Sequence, residues 1–174
     1  MKALIVVDMQ NDFVRYGGAL LVPGAVDIIP FIYKRMHDTP GLVVLTRDIH
    51  ESNDPSFMDF GGPWPRHCVR GSVGAEFHRE VDSARADLII SKSQNSAFLQ
   101  DGMPTGLHGY LRDNWIDSLD IVGVALDYCV GETALDAAKL GYDVTVYRDS
   151  TRAVAPDTGQ AMTNRLKMEG VRVV

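Results

Sequence analysis

Short apolar runs alternate with stretches of helical period along the whole chain, and few folds accept that alternation. Residues 3–7, 42–45, 88–90, 121–124, 144–147 and 171–174 are rich in valine, isoleucine and leucine, and each is the length of one strand. The first of them is apolar at every position, as in strands covered on both faces. Between them, residues 26–36 place apolar side chains at 26, 28, 29, 32 and 36, one helical face. Residues 130–140 and 157–168 read as two more helices, and 106–115 as a shorter one. Pro40-Gly41 and Gly141 stand where two of the helices should stop. The pattern implies an α/β fold: three layers, α/β/α, around a six-stranded, mostly parallel sheet. No repeat, low-complexity tract or linker divides residues 1–174, so one domain is expected.

Bulk properties narrow the partners. The net charge is −6 and the basic residues are scattered singly, which argues against nucleic acid. No apolar stretch reaches membrane-spanning length, and Asp8 interrupts the apolar run at the start too early for a signal peptide. Two cysteines, Cys68 and Cys129, are too few for a disulfide framework and fit a reducing cytoplasm. Neither G-x-G-x-x-G nor a P-loop pattern occurs.

Three chemically useful residues follow predicted strands. Asp8 ends the first, Lys92 lies just beyond the third, and Cys129 follows the fourth after a four-residue turn, where a helix is expected to begin. Carboxyl ends of strands in open α/β sheets collect ligands. A thiol at a helix start is favoured as thiolate by the backbone N–H groups there. A carboxylate to accept its proton and an ammonium to hold both anions would complete a nucleophilic unit. Singly, each residue has a plainer reading: a loop cap, a solvated strand end, a small buried apolar side chain. A second group, Asp48-x-His50 with His67, lies in the irregular segment 46–77. It offers hard and borderline ligands for zinc, iron or manganese, or merely loop hydrogen bonds. Segments of that length without regular structure are usually functional.

The residues also resemble a family. VVDMQNDF (6–13), TRDIH (46–50), WPRHCVRGSVGAEF (64–77), KSQNSAF (92–98) and VGVALDYCVGETALDAAKLGYDV (122–144) are similar to the isochorismatase-like cysteine hydrolases, which include nicotinamidases. The resemblance covers nearly the whole chain. It implies a catalytic triad of Asp8, Lys92 and Cys129. It implies an oxyanion hole from the backbone N–H groups of Ala125 and Cys129, with a cis peptide at Val124–Ala125. Phe13 and Trp64 would wall the substrate ring, and Asp48, His50 and His67 would bind a divalent metal. Where nicotinamidases often carry a further histidine this chain has Asn53-Asp54-Pro55-Ser56, which makes Asp54 the expected fourth ligand and Asp59 the alternative. Leu126 stands where threonine is common, and Gln94-Asn95 where Arg-Tyr is frequent. The implied activity is hydrolysis of a small carboxamide through a cysteine thioester, nicotinamide to nicotinate and ammonia. A ureido or carbamoyl compound, isochorismate, or a non-catalytic binding role are the alternatives. The expected partners are a small amide and further copies of the chain in a homo-oligomer.

Overall fold

The computed structural model describes residues 1–100 and 102–174. In chain order the strands are β1 (Lys2–Val7), β2 (Leu42–Asp48), β3 (Leu88–Lys92), a small antiparallel pair β4 (Leu99–Gln100) and β5 (Met103–Pro104), then β6 (Ser118–Val124), β7 (Asp143–Arg152) and β8 (Arg172–Val173). The helices are α1 (Asn11–Val14), α2 (Ile29–Asp38), α3 (Leu107–Asp113), α4 (Gly131–Lys139) and α5 (Pro156–Met168). Six strands form one sheet in the order β3-β2-β1-β6-β7-β8. Its pairings are parallel throughout, a step beyond the mostly parallel sheet expected.

Alternation along β1 shows why the sheet is covered on both sides. Ala3, Ile5 and Val7 join a core with Leu107, Leu111, Ala134, Leu135 and Leu166, from α3, α4 and α5. Leu4 and Val6 point the other way, against Ile29, Ile32 and Met36 of α2. Those three α2 residues are spaced i, i+3, i+7, so one stripe is buried while Phe31 and Tyr33 stay exposed.

Strand order runs outward from β1 to β3 on one side and from β6 to β8 on the other. The carboxyl ends of β1 and β6 therefore flank the point where the order reverses, the crevice in which such sheets hold ligands. β6 comes unusually close to β1 there. Gly123 adopts φ +110°, and a Cβ on it would lie 2.2 Å from the Val7 carbonyl oxygen. The β6–β7 register shifts at the same point, between Ile121 and Gly123.

Several boundaries differ from the sequence reading. β2 and β3 run on to Asp48 and Lys92, so Lys92 is the last residue of its strand rather than just past it. Residues 9–25 hold Gly17, Gly18, Pro23 and Gly24, as a loop would, yet contain α1. Residues 46–77 are irregular beyond the end of β2, apart from the 3₁₀ turns Met58–Phe60 and Val73–Ala75. The helix expected to begin near Cys129 is preceded by a π-helical turn, Leu126–Val130, so the chain is already helical three residues before the thiol. Such π segments are frequent at functional sites. None of the described helices is long and apolar enough to cross a membrane.

Candidate active site

Asp8, Lys92 and Cys129 meet at the reversal point. Asp8 follows β1 directly in the left-handed region, φ +51°, a conformation that non-glycine residues rarely hold. Lys92 ends β3, and β2 lies between it and β1. Its long stem reaches across to set the ammonium 2.6 Å from Asp8 Oδ2 and 3.3 Å from Cys129 Sγ. Both charged side chains are buried, at 0% and 1% exposure for the residues, while Cys129 is half-buried.

A hydroxyl that the sequence reading passed over completes the carboxylate's surroundings. Thr46 of β2 donates Oγ1–H to Asp8 Oδ1 at 2.6 Å and accepts the Asp8 N–H at 3.2 Å. Only the strand order brings Thr46 beside Asp8, so local sequence held no signal for it. Asn95 was also unassigned, and its Oδ1 lies 3.8 Å from Cys129 Sγ.

The electrostatics bear on one expectation. Burial raises the Asp8 pKa above its ordinary value, Lys92 opposes that, and Asp48 adds to it. For Lys92 burial disfavours the ammonium, yet contact with Asp8, and then Cys129 and Asp48, holds its pKa above the usual lysine value. Burial pushes the Cys129 thiol well up; Lys92 pulls it down, and Asp8 and Asp48 push it up again. These influences act against the thiolate that its place at a helix start favours, and Lys92 acts for it. A thiol beside a carboxylate of raised pKa is a donor next to an acceptor of improved basicity.

Around the thiol lies a cavity of about 130 Å³. Ala125 and Cys129 form part of its wall, and the Val124–Ala125 peptide is cis, as the resemblance implied. Phe13 and Trp64 both line it. Tyr128, not anticipated, packs edge-on to Trp64 with ring centroids 5.4 Å apart.

At the other end of the cavity Asp48, His50 and His67 present one ligand atom each, all within 4.8 Å of one another. Asp48 Oδ2 is 3.0 Å from His50 Nε2 and 3.2 Å from His67 Nε2. Both outer ring nitrogens are taken: His67 Nδ1–H donates to the Pro65 carbonyl and His50 Nδ1–H to Asp54 Oδ2, each at 2.8 Å. Both Nε2 atoms thus face the cluster, where each donates to Asp48 and would have to give up that proton to bind a metal, in the orientation metal-binding histidines usually hold. Burial disfavours the Asp48 anion, but Lys92 and hydrogen bonds from His50 and His67 keep its pKa well below the usual carboxylate range. Two imidazoles, once deprotonated at Nε2, and a carboxylate would fit a divalent ion. Asp54, the expected fourth ligand, lies against the far side of His50 and outside the group whose ligand atoms converge. Asp59 instead pairs with Arg66 at 2.5 Å. Phe57, fully buried, packs against both histidine rings at 5.3 and 5.6 Å, another contact the sequence did not signal.

Residues 2–174 match the Isochorismatase domain family. The chain belongs to that family. Among the family's curated members it is 34% identical to the nicotinamidase/pyrazinamidase of Mycobacterium tuberculosis, covering 100% of this chain and 98% of that protein. Among solved structures, PnC1 from L. infantum in complex with nicotinate superposes with a TM-score of 0.97 at 38% identity, covering 100% of this chain and 92% of the other. The pyrazinamidase of Pyrococcus horikoshii in complex with zinc is 42% identical, with a TM-score of 0.88 and coverage of 99% and 98%.

Proposed function

We propose that this member of the isochorismatase family hydrolyses nicotinamide to nicotinate and ammonia through a thioester on Cys129. The observation that carries the reading is the three-way contact of the Lys92 ammonium with Asp8 and Cys129, at 2.6 and 3.3 Å, opening on a cavity of about 130 Å³ walled by aromatic rings. Relatives that act on nicotinamide, and the nicotinate held by a close structural neighbour, support the same substrate.

In the proposed sequence Asp8 takes the Cys129 proton as sulfur attacks the carboxamide carbon. The N–H groups of Ala125 and Cys129 receive the developing oxyanion. Asp8 passes the proton to the amide nitrogen, and ammonia leaves as the C–N bond breaks. Asp8 then removes a proton from water, which attacks the thioester carbon. The C–S bond breaks, nicotinate is released, and the thiol is restored. Lys92 stays an ammonium throughout and keeps Asp8 aimed at the reacting atoms. Phe13, Trp64 and Tyr128 bound the ring. Asp48, His50 and His67 would hold a divalent ion, zinc, iron or manganese, whose chemistry here is to bind a ring nitrogen and orient the substrate. A homo-oligomer belongs to the reading and is measured by sedimentation.

Isochorismate cleavage needs no thiol, so the presence of Cys129 weighs against it. The test is ammonia release from nicotinamide together with intact mass during turnover. The native protein should show an acyl adduct on Cys129 after acid quench, and Cys129→Ala should retain its fold with no turnover. Substantial hydrolysis by Cys129→Ala would sink the covalent route.

A further inference from the structure

Asp127 lies two residues before the nucleophile, inside the π turn, and the triad and metal cluster leave it without a task. Its carboxylate is nevertheless the most heavily used in that turn. Oδ1 accepts the Val154 N–H at 2.9 Å, and Oδ2 accepts the Ala155 N–H at 3.2 Å and the Thr158 hydroxyl at 2.5 Å. Ala155 is the residue before α5 and has no capping side chain, and Asp127, from another element, accepts its backbone N–H and holds the Thr158 hydroxyl of the first turn. The positive end of the α5 dipole favours the anion there. Val154, bonded to the other oxygen, lines the substrate cavity.

We infer that Asp127 is a positioning residue that fixes the turn carrying Ala125 and Cys129 to the start of α5, holding the nucleophile and the Val154 wall in register across the substrate. One rigid carboxylate spans both sides: its own backbone belongs to the turn, and its oxygens hold the opposite loop. The α5 side of the joint is close-packed besides, for a Cβ on Gly131 would lie 2.6 Å from Met162. Misplacement of reacting groups by small distances is costly in rate, and a lost wall weakens substrate binding as well.

The inference rests on the proposed amide hydrolysis for its kinetic arm, and a second arm is independent of substrate: the rate at which iodoacetamide modifies Cys129. Cys68 is fully buried and does not compete. For Asp127→Ala, kcat on nicotinamide should fall by at least about ten-fold and KM rise, with the pH profile unmoved. Cys129 modification should quicken by about two-fold or more as the turn is released from its anchor. Asp127→Asn, which keeps one acceptor oxygen, should recover part of both effects. Thr158→Val, which removes a single donor and leaves the turn's sequence intact, should shift both readouts the same way but less, and serves if the alanine variant does not fold. Native-like kcat, KM and modification rate in Asp127→Ala would overturn the inference, as would a displaced pH profile, which would assign Asp127 an electrostatic role. If the native protein fails to hydrolyse nicotinamide, the substrate reading falls and the modification rates still decide the role of Asp127.

Discussion

Lys92 and Asp8 form a buried pair in which neither charge can be removed alone without penalty. Lys92→Met should abolish turnover and cost about 3–5 kcal/mol at neutral pH, since an uncompensated carboxylate would be left in the interior. The sign of the pH dependence follows from Asp8. Its folded pKa is already raised above 3.8 by burial, against the pull of Lys92, and loss of the ammonium raises it further. A group raised in the folded state contributes stability below its unfolded pKa and loses that contribution as pH rises through the folded value. The stability gap between Lys92→Met and the native protein should therefore narrow in acid and widen toward pH about 8, read by urea unfolding. A gap constant over that range would mean that Asp8 is not the group left exposed to the interior. Cys68 is the contrasting residue. It is fully buried, and burial first and then the carboxylates of Asp48, Asp8 and Asp12 hold its pKa far above the usual thiol value. Cys68→Ala should keep kcat/KM within about two-fold while losing about 1 kcal/mol, a fall in Tm of about 2–4 °C. A large loss of activity at unchanged Tm would show that Cys68 takes part in the chemistry.

Among the elements, β6 is the one whose backbone shape the site depends on most directly. Gly123 takes φ +110° where β6 passes β1, and it immediately precedes Val124 and the turn that carries the nucleophile. Gly123→Ala meets two obstacles, a disfavoured backbone conformation and a contact with the Val7 carbonyl that neither strand can relieve without moving. A loss of about 3 kcal/mol or more is expected, with Tm lower by about 6–12 °C. A variant with native Tm would show that the strands separate there at little cost. The end of β2 is held by a different device. Buried Gln10 donates to the carbonyls of Asp48 and Ala75 at 2.7 and 2.8 Å and accepts the Asp48 N–H at 2.7 Å, so one side chain secures the backbone of a candidate metal ligand.

On the scale of the molecule, the cavity joins two separately built sites. The thiol end stands on β1, β3 and the π turn, and the metal end on the tip of β2 and the long loop that follows it. Stripping metal with a chelator should raise KM for nicotinamide while Cys129 remains reactive to iodoacetamide, because the triad takes no ligand from the cluster. An unchanged KM in stripped protein would remove the ion as ring anchor and bring the ureido or carbamoyl reading forward. Asp54→Asn should weaken metal affinity by about 10–100-fold, measured by competition with a chromophoric chelator, and His50→Ala should weaken it more. Equal losses would make Asp54 a direct ligand after all.

The alternation of strands and helices, the three polar residues at strand ends and the Asp-x-His pair were all legible in the chain, because each is a local pattern. Apolar residues on both faces mark a covered strand wherever it sits, and a carboxyl strand end is defined by its own sequence. Tertiary structure alone decided three other things. Thr46 lies against Asp8 only because β2 pairs with β1, and a sequence 38 positions apart carries no trace of that pairing. Asp54 sits on His50 Nδ1 because a carboxylate four residues from His50 can reach either side of the ring, and the loop's path selects the outer side. The balance at the Cys129 thiol, with burial and carboxylates set against Lys92, acts through space, and it arises only when distant segments close around the same few ångströms.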